Sequence, residues 1–82
     1  MPVFLDHHKV PQIAQERLTE IVADMKAGKA TNGITPLNGF VGANDAWCLI
    51  DAPNAASVHD LHKAVYGLEL GPGDVTQVQK MV

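Results

Sequence analysis

The sequence has little cysteine, few aromatic residues and no long apolar run. A single cysteine in 82 residues excludes an internal disulfide and a zinc site built mainly of thiolates. The longest apolar run, Ala46 to Ile50, is far too short to span a bilayer, which takes about 20 residues, so no membrane partner is expected. The first residues show no basic segment followed by an apolar stretch, so no secretory signal is expected and the predicted location is the cytoplasm.

Positive charge is also scarce. Six basic residues stand against nine acidic ones, which gives a net charge of −3, and no two lysines or arginines are adjacent. Because nucleic-acid binding needs a cluster of basic side chains, no nucleic-acid partner is expected. The hydrophobic share of 46% and the charged share of 18% are those of an ordinary globular protein. The length predicts a single domain over residues 1–82.

The spacing of apolar residues predicts the element order βαββαβ. Strands are expected over 2–8, 34–42, 46–51 and 75–82, with helices over 12–27 and between Asn54 and Gly67. This order is typical of the ferredoxin-like α+β fold, a four-stranded antiparallel sheet with both helices on one face. Pro36 lies within the second strand, which therefore belongs at a sheet edge.

Two helices can cover only one face of this sheet. The first strand is apolar on both faces, and the third places Cys48 on one face and Trp47 and Leu49 on the other. A bare second face would expose a large apolar patch. A second copy of the chain is the simplest cover, so the sequence predicts a homodimer.

Histidine is the residue type that points to chemistry. Four histidines form two close pairs, His7-His8 and His59-x-x-His62. In the predicted fold the first strand ends near the last turns of the second helix, where the helical phase turns His62 toward the sheet. Strand alternation directs one of His7 and His8 toward the helices, and the sequence leaves open which. The predicted cluster is Asp6, His8 and His62, a donor set suited to nickel, zinc or copper.

The same residues permit other interpretations. His62 or His8 could be the base of an αβ-barrel enzyme that holds a small organic ligand between sheet and helices. The histidines could instead satisfy hydrogen bonds in a ligand-free structural dimer. An apolar pocket beside the histidines would favour the enzyme, and converging imidazoles in a polar, open site would favour the metal. Cys48, in mid-strand among apolar residues, is predicted to be a buried structural thiol.

Three motifs spread along the chain carry a family resemblance. They are Asp6-His7-His8-Lys9-Val10-Pro11, Trp47-Cys48-Leu49-x-x-Ala52-Pro53 and His62-x4-Gly67-Leu68. Together they resemble a family of small bacterial proteins, a domain of unknown function that includes nickel-binding members. The resemblance implies a dimeric ferredoxin-like αβ-barrel.

Carried over by position, the resemblance implies Asp6, His8 and His62 as metal ligands. Tyr66, which stands where the family has a second histidine, is a further candidate metal residue, although a poorer nickel ligand than imidazole. Ile21 and Val22 lie where members often carry a histidine in the first helix. The leading hypothesis is a cytoplasmic homodimer that binds nickel or another divalent transition metal without catalysis.

Overall fold

The computed structural model describes residues 2–10, 12, 14–30, 33–79 and 81. These residues form four strands and two helices: β1 Val3–Lys9, α1 Gln15–Ala27, β2 Thr35–Val41, β3 Asp45–Asp51, α2 Ala55–Tyr66 and β4 Val75–Val78. The strands form one antiparallel sheet in the order β2-β3-β1-β4. The predicted βαββαβ order and the ferredoxin-like α+β fold are confirmed. Within the described ranges, neither helix is long and apolar enough to cross a bilayer.

The edge position of β2 follows from its proline. Pro36 has no backbone N–H to donate to a neighbouring strand, so it is tolerated at an edge or at an irregularity. The structure has both, because β2 pairs only with β3 and its register shifts between Pro36 and Asn38. The predicted edge is therefore confirmed.

The sequence signals at the helix ends also hold. At the start of α2, the Asn54 side chain accepts a hydrogen bond from the backbone N–H of Ser57 at 2.9 Å. Both helices end at a glycine with φ of 66°, Gly28 after α1 and Gly67 after α2. This left-handed conformation favours glycine because it has no Cβ.

The start of α1 differs from the prediction. The helix begins at Gln15 rather than at residue 12, and Gln12 lies outside it. Ala14 occupies the N-cap position and offers no side-chain oxygen to the free N–H groups of the first turn. The predicted break at Pro11 and the helical assignment of Ile13 lie outside the described residues.

The last strand is shorter than predicted. β4 pairs only with β1, and the final pair joins Val78 to Val3, the first residue of β1. Pro2 comes before that strand and has no N–H to extend the ladder. Gln79 and Met81 are accordingly not in a strand, and residues 80 and 82 lie outside the described part of the chain.

The packed core lies under α2. Its buried hydrophobic residues are Phe4, Ile34, Ile50, Ala52 and Val58. In contrast, α1 buries none of its side chains, although its apolar residues fall at the spacing of one helical face. Leu18 and Val22 on that face remain 38% and 42% exposed. The space between α1 and the sheet is therefore not filled by core side chains.

Candidate metal centre

Strand β1 decides which of its two histidines faces the helices. Its residues alternate between buried and half-buried, and the buried ones are Phe4, Asp6 and His8. His7 lies on the opposite face, where its Nε2 is 3.0 Å from an Asp45 carboxylate oxygen and its ring stacks on Trp47. The helix-facing side of β1 thus presents a carboxylate and an imidazole with almost no access to solvent.

Helix α2 supplies the second imidazole. His62 is 1% exposed, and with Val58 it makes up the buried side of this helix. The helical wheel predicts His62 on the margin of a stripe of Val58, Leu61 and Val65. The structure places His62 at the centre, and Leu61 and Val65 are only half-buried. The crossing of a helix over a sheet sets which residue is deepest, and a helical wheel does not contain that angle.

The side chains from β1, β3 and α2 converge on one point. Asp6 Oδ1 lies 3.3 Å from His62 Nε2 and 3.5 Å from His8 Nε2. Cys48 on β3 pairs with Asp6 across the sheet. One donor atom from each of Asp6, His8, Cys48 and His62 lies within 4.8 Å of all the others. These four residues can hold a metal ion.

Hydrogen bonds fix the tautomer of both imidazoles. His62 Nδ1 donates to the Val58 carbonyl at 2.8 Å, and His8 Nδ1 donates to the Lys9 carbonyl at 2.7 Å. A carbonyl only accepts, so each Nδ1 carries a proton and each neutral ring has a bare lone pair at Nε2. Such contacts are the usual way in which proteins orient histidine ligands.

The atoms that face one another at the centre lack hydrogen-bond partners. Both Nε2 atoms and both carboxylate oxygens of Asp6 are buried without one. A buried polar atom without a partner costs about 1–3 kcal/mol. The repulsion between two nitrogen lone pairs and a carboxylate can be removed in two ways. A proton can bind to one ring, or a metal cation can bind between the two nitrogens and the carboxylate.

The pKa of His62 favours the first alternative, a proton on one ring. Burial by itself lowers the pKa of His62, but three effects that favour the protonated ring outweigh it: the hydrogen bond that its Nε2 would then donate to Asp6, the charge of Asp6 and the Val58 carbonyl. The pKa of His62 is therefore raised above the ordinary value of 6.5. Without a metal and below this raised pKa, a proton on His62 is the cation that Asp6 holds.

The metal-free protein is expected to lose stability as the pH rises. A group whose pKa is raised by folding stabilises the fold fully below its unfolded pKa, and that contribution is lost as the pH passes the folded pKa. For His62 the loss begins above about pH 6.5, the ordinary pKa of the imidazole. Between the unfolded and the folded pKa, stability falls by at most about 1.4 kcal/mol for every pH unit. Denaturant unfolding in a chelator between about pH 6 and pH 9 measures it.

The Asp6→Asn variant is the matched control for this pH dependence, because it removes the charge that raises the pKa of His62. Its stability is expected to change less over the same pH range. A wild-type stability that is constant or increases with pH would contradict the Asp6–His62 pair.

Cys48 and Tyr66 complete the surroundings of the cluster. Burial, followed by the charge of Asp6, raises the pKa of the Cys48 thiol to about 12. Burial, followed by Cys48 and Asp6, raises the pKa of the Tyr66 phenol to about 12 against a lowering by Arg17. The Tyr66 ring packs against both imidazoles, with centroids 5.3 Å from His62 and 5.9 Å from His8. Both groups are thus neutral at physiological pH.

The structure therefore brings together Asp6, His8 and His62, with the Tyr66 ring beside them. His59, the partner of His62 in the sequence pair, is half-buried and does not belong to the cluster. Cys48 is the residue that sequence reasoning missed, since its apolar neighbours predict a structural thiol only. The alternation along β3 predicts the face of the sheet on which Cys48 lies. The sequence does not give the β1–β3 register, which places Cys48 opposite Asp6.

The fold and the site together define a ferredoxin-like protein with a cluster of buried His and Asp side chains and one half-buried Cys. No protein-family model, curated protein or solved structure matches the chain. The resemblance to the nickel-binding family thus stays a prediction, and the site rests on its own geometry.

Proposed function

We propose that the chain binds a single divalent transition-metal ion between β1, β3 and α2, and that it does so without catalysing a reaction. The observation that carries the proposal is the pair of buried Nε2 lone pairs aimed at a buried carboxylate, none of which has a hydrogen-bond partner. Donor atoms around a tetrahedral ion lie about 3.3–3.8 Å apart, given metal–ligand distances of 2.0–2.3 Å. The separations of 3.3 and 3.5 Å from Asp6 to the two rings fall in that range.

The donor types narrow the choice of ion. Magnesium and calcium prefer sets made of oxygen atoms, whereas imidazole suits zinc, copper and nickel. Nickel is proposed first because of the resemblance carried by Asp6, His8 and His62. Tyr66 is proposed to cover the metal site, with its ring packed against both imidazoles. A single thiol such as Cys48 stays reduced in the cytoplasm, which is the proposed location.

Calorimetric titration of nickel, zinc and copper into chelator-treated protein tests the proposal. We expect binding of one ion per chain, with an apparent affinity that falls as the pH falls through about 6.5, because protons compete for the imidazole nitrogens. Equal nickel affinity at pH 8 and pH 5 would contradict ligation by His8 and His62.

Cys48 is expected to respond to the metal in a way that identifies it as a ligand. With a thiol pKa of about 12, only about one molecule in ten thousand carries the thiolate at pH 8, so the metal-free protein should react very slowly with thiol reagents. A coordinating metal deprotonates the thiol. Nickel should therefore produce a thiolate-to-metal absorption band that Cys48→Ser abolishes. A spectrum that is identical in the two proteins would exclude Cys48 from the ligand set.

The enzyme alternative has one observation in its favour. A cavity of about 620 Å³, lined mainly by apolar side chains, lies beside His8, Cys48 and Tyr66. A general base must, however, reach the proton that it removes. The Nε2 atoms of His8 and His62 are buried and face Asp6. Metal binding explains both lone pairs, and we therefore prefer it to base catalysis.

We also propose that two copies of the chain pair through the helix-free face of the sheet. In one chain Trp47 on that face is 37% exposed and Phe40 is 60% exposed, with Leu49 half-buried beside them. A partner sheet would remove these side chains from water. The expected solution mass is near twice 8.8 kDa at micromolar concentration.

Leu49→Lys is expected to dissociate this dimer, because it introduces a charge into the proposed interface. Ala64→Lys places the same charge on the exposed side of α2 and should leave the mass unchanged. Analytical ultracentrifugation measures both, and circular dichroism reports whether each variant is folded. A wild-type protein that stays near 8.8 kDa at every concentration would contradict the dimer.

A further inference from the structure

A large cavity lies between α1 and the sheet. Its volume is about 620 Å³, within the range of small-molecule sites. Apolar side chains of α1 form one wall, among them Leu18, Val22 and Met25, and Val41 and Ala46 contribute from the sheet. Because α1 buries none of its residues, this wall is an apolar helix face that the described part of the chain leaves only partly covered.

The strands under α1 explain why the space is open. Gly39 on β2 has no side chain, and Ala46 on β3 has a small one. At Gly39 the helix comes close to the strand, since a Cβ there would lie 2.8 Å from the terminal methyl of Met25. A larger residue at 39 would displace that methyl. The sequence therefore lets α1 lie close to β2 at Gly39 and leaves the volume beside this contact unfilled.

The charges around the cavity specify the ligand. The chain carries nine acidic and six basic residues, yet none of the described side chains that line the cavity is acidic. Among the described residues that line the cavity, the lysine or arginine present is Lys26, in the last turn of α1. An apolar cavity with a single lysine complements an apolar molecule with one negative charge.

We propose that this cavity binds a small carboxylic acid with an aliphatic or aromatic body, whose carboxylate pairs with Lys26. The apolar body packs against Leu18, Val22 and Val41, and it replaces the core contacts that α1 lacks. This ligand binds beside the metal cluster and needs no metal, so the proposal stands apart from the proposed function.

Calorimetric titration with octanoate and with 1-octanol tests the proposal on chelator-treated and on nickel-loaded protein. The two probes share a chain length and differ in charge. We expect octanoate to bind at least about tenfold more tightly than octanol in both forms of the protein. Equal binding of the two probes, or no binding of octanoate, would overturn the proposal whether or not nickel binds.

Paired variants locate the site. Val22→Trp fills the cavity and should weaken octanoate binding by at least about tenfold, whereas Ala23→Trp on the exposed side of α1 should leave it within about twofold. Lys26→Gln should lower the affinity for octanoate to that for octanol. Lys63→Gln removes the corresponding charge from the last turn of α2 and should leave the affinity for both probes unchanged.

Circular dichroism checks that each variant is folded, which is expected because none of the three substitutions on α1 alters a core residue. Equal effects of Val22→Trp and Ala23→Trp would overturn the assignment to this cavity. A change of solution mass in Val22→Trp, with octanoate binding retained, would also overturn it and would assign the groove to a second copy of the chain.

Discussion

Replacing Asp6 with asparagine is expected to move two measurements in opposite directions. Nickel affinity should fall at least about a hundredfold, or about 2.7 kcal/mol, because the only charged oxygen ligand of the cluster is lost. The metal-free protein should become more stable by about 1–2 kcal/mol at a pH above the raised pKa of His62. Titration calorimetry measures the first change and denaturant unfolding in a chelator measures the second.

The gain in stability follows from the tautomers. With Nδ1 of each ring donating to a carbonyl, the Nε2 atoms of His8 and His62 have only the Asp6 carboxylate in front of them at 3.5 and 3.3 Å. An asparagine amide has two N–H donors for these lone pairs, whereas a carboxylate has none. At pH 6 the gain should shrink, because Asp6 then holds a protonated His62.

Asp60→Asn is the matched control, since it removes a carboxylate from the exposed side of α2. It should leave nickel affinity and its pH dependence unchanged. An Asp6→Asn variant that binds nickel like the wild type would remove Asp6 from the ligand set. An Asp6→Asn variant that is less stable than the wild type above the pKa of His62 would show that the unpaired Nε2 atoms do not destabilise the metal-free protein.

Alanine substitutions are expected to distinguish the histidines that bind the metal from His59, which does not. His8→Ala and His62→Ala should each weaken nickel binding by at least about tenfold, which corresponds to about 1.4 kcal/mol. His59→Ala should change it far less, because His59 lies outside the cluster. Calorimetry on the folded variants measures all three. Equal small effects would point to an adventitious surface site.

A gain of function is expected at Tyr66. This residue lies one helical turn after His62 on α2, a spacing at which two imidazoles can share one ion. Its ring already packs against His8 and His62. Tyr66→His should therefore tighten nickel binding. If it has no effect and both alanine variants also bind normally, the ion does not lie in this cluster.

The parts of the fold that local chemistry determines could be predicted from the sequence. Asn54 caps α2 through its own side chain, Gly28 and Gly67 adopt the left-handed conformation, and Pro36 lies at an edge. Each of these signals depends on one residue and its immediate neighbours. The strand and helix order followed from them together with the apolar spacing.

The parts that depend on distant contacts could not be predicted. The depth of His62 depends on how α2 crosses β1, and the place of Cys48 depends on the β1–β3 register. The apolar spacing of α1 predicts a core-facing stripe, although Gly39 and Ala46 leave little side-chain volume for it to pack against. The composition of the cluster was therefore only partly predictable from the spacing of histidines.

X-ray absorption spectroscopy at the nickel edge of the nickel-loaded protein tests the central claim most directly. Two imidazole ligands on one ion are expected, reduced to one in His62→Ala and unchanged in His59→Ala. A nickel environment of oxygen atoms without imidazole, or one that is the same in both variants, would contradict a metal centre built by Asp6, His8 and His62.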